Sequence, residues 1–147
     1  MQAMEEIFDA GKAKAIGVSN YEKQHLLEMD DYAKIPPAVN QIEVHPFWYR
    51  KELIEYCHLH DIVVVDYSPL VRAHHMTHPT INEIAEAHKK SPAQILLRWG
   101  LELGDVVIPK SHSAKHIKEN IDIFDFKLSK KEMQRLAELN QHESVVQ

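Results

Sequence analysis

Seven side chains stand out by type and by place: Ser19, Asn20, Gln41, Tyr67, Ser68, Lys110 and Ser111. Serine, asparagine and glutamine supply hydroxyl and amide groups that both donate and accept, the complement a primary carboxamide needs. Tyr67 offers a flat apolar face against a ring. Lys110 offers a cation for phosphate, and a helix expected from about Ser113 turns its N-terminal N–H groups toward the same region. Each residue also has a plainer use. Ser19-Asn20 suits a helix cap before Tyr21, Gln41 a partner for a buried backbone group, Tyr67 a core aromatic and Lys110 a solvated charge. The stronger chemistry requires that they share one end of neighbouring strands.

The pattern along the chain places them so. Short β-branched runs alternate with segments of helical period, the order of βα units around a parallel sheet. Strands are expected at Ala13–Val18, Ala38–Ile42, Ile62–Asp66 and Val106–Ile108, and the seven residues sit at or just beyond their C-terminal ends, where parallel architectures gather ligands. Helices are expected over Gln2–Ala10, with Met4, Ile7 and Phe8 on one face, over Tyr21–Met29 and over Lys51–His60. Capping boxes are expected at Thr80–Glu83 and Ser129–Glu132, and Ser91-Pro92 reads as a cap followed by proline at the first helical position. Four such units fall short of a closed (β/α)8 barrel, which takes ~250 residues. An open four-stranded sheet fits the spacing equally well.

The 147 residues carry 44% apolar and 27% charged side chains, the composition of an ordinary globular domain. A net charge of −5 with scattered basic residues speaks against nucleic acid, and no apolar run approaches the ~20 residues that span a bilayer. Residues 1–140 read as the domain and 141–147 as a tail that frays. Cys57 stands alone and Met1–Lys12 lacks a leader's pattern, so a reducing, cytoplasmic location is expected. His74, His75 and His78 cluster in one loop without a cysteine or paired acid beside them, and no metal ligand is nominated.

The segments Gly11–Tyr21 (GKAKAIGVSNY), Val39–Pro46 (VNQIEVHP), Asp66–Leu70 (DYSPL), Ser91–Trp99 (SPAQILLRW), Val107–Ser111 (VIPKS) and Ile117–Phe126 (IKENIDIFDF) resemble the aldo-keto reductase family. The likeness runs in order from about Gln2 to Asn140 and corresponds to the C-terminal half of the family's barrel. It implies four parallel strands with surrounding helices, the C-terminal half of a (β/α)8 TIM barrel. It further implies an NADP(H)-dependent oxidoreductase that reduces aldehydes or ketones to alcohols. By that resemblance Ser19, Asn20 and Gln41 bind the nicotinamide carboxamide and Tyr67 stacks on its ring. Ser68 and Leu70 lie by the diphosphate, Lys110 and Ser111 hold the ribose 2′-phosphate of NADP, and Glu119 and Asn120 face the adenine.

Two positions depart from the family. His116 stands where an arginine usually meets the 2′-phosphate, and imidazole is a weaker, pH-dependent cation. Val71–Pro79 lacks the glycines of the family's loop over the cofactor. The family's tyrosine, lysine, aspartate and histidine catalytic set belongs to the other half of the barrel, no segment here matches it, and no catalytic residue is nominated. The chain alone is expected to turn over little or no substrate, a carbonyl compound being its partner only when an N-terminal half completes it. The alternative is a non-catalytic half-barrel that serves as a structural or interaction module, with open sheet edges inclined to self-association.

Overall fold

The computed structural model describes residues 1–146. Its four strands, β1 (Val18–Ser19), β2 (Val39–Glu43), β3 (Val63–Tyr67) and β4 (Val106–Val107), form one sheet in chain order. Before β1 runs α1 (Gln2–Asp9), between the strands run α2 (Lys23–Met29), α3 (Lys51–Leu59), α4 (Pro79–His88) and α5 (Pro92–Leu103), and after β4 come α6 (Ala114–Ile121) and α7 (Lys130–Ala137). The third gap holds two helices, as its length required. Two compact units are distinguished: one of Met1–Ile42 with Arg50–Val65, the other of Glu43–Tyr49 with the chain from Asp66 onward.

In the first unit β1 and β2 pair in parallel, Val18 opposite Asn40 and Ser19 opposite Gln41. The strand expected over Ala13–Val18 shrinks to two residues. Opposite its beginning stand Pro36 and Pro37, which have no N–H to offer a ladder, so only the bond from Ala38 N–H to Ile16 O (2.8 Å) remains before the strand proper. A Cβ on Gly17 would lie 2.7 Å from the Val39 carbonyl oxygen, so the close approach of these backbones depends on glycine there. Leu26 and Met29 of α2, Leu53, Ile54 and Cys57 of α3, and Ile42 and Val64 of the strands make the core. The face expected of α1 is met only at Phe8, which is half-buried. Met4 and Ile7 are exposed, while Glu5 is buried and its carboxylate accepts bonds from Lys34 N–H (2.7 Å) and Ile35 N–H (3.1 Å). A buried carboxylate must be hydrogen-bonded, and two backbone donors satisfy it.

The second unit is built on α4, α5 and α7, whose Ile81, Ile84, Ile95, Leu96, Leu97, Trp99 and Leu136 are almost wholly inaccessible, with Phe47 and Val71. The Ser91 box forms with Gln94 and the Ser129 box with Glu132, each hydroxyl accepting from the N3 amide. The Thr80 box does not form. Pro79 occupies the first position of α4, which moves Thr80 inside the helix, and Glu83 is drawn to Arg135 instead. Residues 141–145 are also tied down. Gln141 and Glu143 N–H both donate to Phe47 O, and Ser144 Oγ and Val145 N–H donate to the Glu43 carboxylate at 2.6 and 2.7 Å.

Candidate functional site

In the first unit the turn after β1 is shaped for display. Ser19 Oγ and Asn20 N–H both donate to Gln41 O at 2.9 Å, and Asn20 takes a left-handed φ of 57°, which asparagine tolerates better than most residues. Asn40, fully buried, donates from Nδ2 to Tyr21 O (2.9 Å) and accepts from Tyr21 N–H, fixing the chain beyond that turn. The sequence reading passed over Asn40. An amide inside a β-branched run was the signal, since a buried amide must find partners. The side-chain amide of half-buried Gln41 makes no hydrogen bond among the described residues, so it is not consumed by a backbone group. Ser19, Asn20, Tyr21, His25, Glu28 and Tyr32 border a cavity of about 270 Å³.

In the second unit Tyr67 closes β3 half-buried, and Ser68 follows with a left-handed φ of 52° whose carbonyl accepts from Val71 N–H. Ile108 N–H donates to Asp66 O (3.2 Å), joining the chain after β4 to β3. Beyond it, Ser111 Oγ accepts from Ser113 N–H (3.1 Å), and Ser113 caps α6. Leu70, Lys110, Ser111, His116, Glu119 and Asn120 share the wall of one cavity of about 350 Å³. Six of the eight nominated residues of this unit are thus brought together, while Tyr67 and Ser68 are not on that wall. Arg72, which was not nominated, is.

Two buried acid clusters were not foreseen. Asp66 and Asp105 are 1% and 4% exposed. Burial, with the neighbouring Asp105 carboxyl second, pushes the Asp66 pKa up to about 9, so Asp66 holds its proton at neutrality. Elsewhere Glu43 meets His45 Nε2 at 3.1 Å, both groups inaccessible. Burial lowers the His45 pKa against the opposing pull of Glu43, which suits a neutral structural ring rather than a base. Phe47 stacks on His75 with centroids 4.0 Å apart, and His75 Nε2 lies 3.3 Å from a Glu143 oxygen. Among the described residues no group of three potential ligands is placed to hold a metal ion, and no helix is long and apolar enough to cross a membrane.

Comparison with known proteins covers the same ground. The profile of the Aldo/keto reductase family matches residues 1–141. The chain is 44% identical over 144 residues to a glyoxal reductase of Bacillus subtilis, covering 98% of this chain and 52% of that one. It is 41% identical over 147 residues to a 9,11-endoperoxide prostaglandin H2 reductase of Trypanosoma cruzi, with coverages of 98% and 52%. Among solved structures, the aldose reductase of Schistosoma japonicum superposes with a TM-score of 0.92 at 39% identity, over 99% of this chain and 48% of its own. The chain therefore spans about half the length of the relatives it matches, and its four parallel strands with their helices are those of a partial (β/α)8 barrel.

Proposed function

Because the chain belongs to the aldo/keto reductase family, we propose that it is the cofactor-binding half of an NADP(H)-dependent carbonyl reductase. The observation that carries this reading is the cavity bordered by Lys110, Ser111, His116, Glu119 and Asn120, the residues to which the family likeness gives the phosphate and adenine ends. The residues present fit such a group. Neither Lys110 nor His116 has an ion-pair partner among the described residues, and the Gln41 amide is uncommitted.

In the first unit, Ser19, Asn20 and Gln41 hold the carboxamide, whose donor and acceptor match their own. In the second, Tyr67 stacks on the ring, Ser68 and Leu70 lie by the diphosphate, and Lys110, Ser111 and His116 hold the 2′-phosphate. When bound, the reduced dinucleotide supplies the hydride for a carbonyl carbon. A proton must reach the developing alkoxide, and no segment of this chain resembles the family's catalytic tyrosine motif. The hydroxyls of Tyr32 and Tyr56 are raised above their usual range, chiefly by desolvation, whereas an acid working near neutrality needs the opposite. We therefore expect little turnover from this chain with common aldehydes, in a reducing cytoplasmic setting that suits its single thiol.

Titration of the whole chain with NADPH, followed by nicotinamide fluorescence, tests the reading. Saturable binding is expected, weakened roughly fivefold or more by Gln41→Ala or Tyr67→Ala, the worth of about one net hydrogen bond or stacking contact. Absence of saturation at millimolar cofactor sinks it.

A second reading, a half-barrel that acts as an interaction module, is favoured by one feature of the second unit. Ile117, Ile121 and Phe124 are exposed to 55, 70 and 70% and border one cavity with Val106 of β4. Grouped apolar exposure of this kind is what binding surfaces display.

A further inference from the structure

The loop after β3 contains three consecutive left-handed residues, Val71 (φ 51°), Arg72 (φ 46°) and Ala73 (φ 67°), none of them glycine. For a β-branched residue this is a strained conformation, and such strain persists only where its surroundings impose it. Here they do. The Val71 side chain is wholly buried, Val71 N–H donates to Ser68 O (2.9 Å), Ala73 N–H to Leu70 O (2.8 Å) and His74 N–H to Val71 O (2.9 Å). With Val71 anchored, Arg72 is left exposed on the wall of the 350 Å³ cavity, together with Lys110, Ser111 and His116.

Arg72 differs from the other arginines. Arg50 pairs with Glu22, Arg98 with Glu102 and Arg135 with Glu83, whereas among the described residues Arg72 has no ionic or hydrogen-bonded partner. The side chains of Lys110 and His116 share that condition. In a chain of net charge −5, three uncompensated basic side chains around one cavity call for an anion. A guanidinium suits phosphate better than the other two, because its planar fork can donate two parallel bonds to two oxygens. One carboxylate, Glu119, shares the wall. The ligand is therefore anionic at one end and bears hydrogen-bond donors at the other, which describes an adenosine phosphate better than a simple anion.

We propose that Arg72 is the specificity-determining residue for a phosphate on the 2′ position of an adenosine ribose, with Lys110 as its partner and His116 as auxiliary. The assignment rests on the dinucleotide-binding reading above and adds to it a residue from the loop.

Calorimetric titration of the whole chain with adenosine 2′-monophosphate and, separately, adenosine 5′-monophosphate tests it, with phosphorus NMR of the 2′-phosphate as a second readout. Arg72→Gln is expected to weaken the 2′-nucleotide ~10-fold or more, the size of a charge-assisted contact, while leaving the 5′-nucleotide within about twofold. Arg72→Lys should fall between. The bound 2′-phosphate resonance should titrate at lower pH in the unaltered chain than in Arg72→Gln. Equal binding of the 2′-nucleotide by the unaltered chain and Arg72→Gln overturns the role of Arg72 and leaves the dinucleotide reading standing. Equal weakening of both nucleotides overturns the assignment to the 2′ position. Failure of the unaltered chain to bind either one overturns both readings.

Discussion

At the scale of single residues, Asp66 makes stability depend on pH. Its folded pKa of about 9 lies far above the ordinary carboxyl value of 3.8. Between those values the folded chain holds a proton that the unfolded chain has released. The group's contribution is thus most favourable below about pH 4 and is lost progressively as pH rises toward 9. Replacement by Asn, which keeps the shape and has no proton to lose, removes that slope. Thermal unfolding should show Asp66→Asn above the unaltered chain by about 5 °C or more at pH 8, the margin closing toward pH 4. A margin independent of pH would contradict the buried acid. The same scale shows what the sequence could reveal of the site. Lys110 and Ser111 are legible because they end an apolar run, as Gln41 is within one. Arg72 is not, because a lone arginine in a loop has no period, and its exposure depends on the left-handed turn that buries Val71.

At the scale of elements, the legible features were those set by local composition. The β-branched run Ile62–Asp66 announces β3 to within a residue, and Ser91 and Ser129 announce their helices. What failed depended on neighbours remote in sequence or on a competing local rule: Pro36-Pro37 shortens β1, and Pro79 displaces the expected Thr80 cap. The packing of α5 on β4 belongs to the same class. A Cβ on Gly100 would lie 2.6 Å from Val107 Cγ1 and 2.8 Å from Asp66 Oδ2. Glycine inside a helix ordinarily gains about 0.5–1 kcal/mol on replacement by alanine. Here the expected sign is reversed, and Gly100→Ala should lower stability by about 1–3 kcal/mol, seen as a reduced urea midpoint at unchanged slope. A stabilised variant would mean that α5 can lift from β4 without cost.

At the scale of the whole molecule, the apolar group of Ile117, Ile121 and Phe124 bears on association. Sedimentation of the purified chain should reveal concentration-dependent species larger than 17.0 kDa, and Phe124→Glu should shift the population toward the monomer. A strictly monomeric, well-folded chain at high concentration removes the support for an interaction module. The two compact units also happen to carry different natural probes. The sole cysteine, Cys57, is buried in the first, and both tryptophans, Trp48 and Trp99, lie in the second. A thiol-reactive dye in native buffer therefore clocks transient exposure of one half, while indole emission during a denaturant ramp follows the other, with no label engineered in. Whether the halves melt as a single cooperative body can be settled by comparing the two clocks.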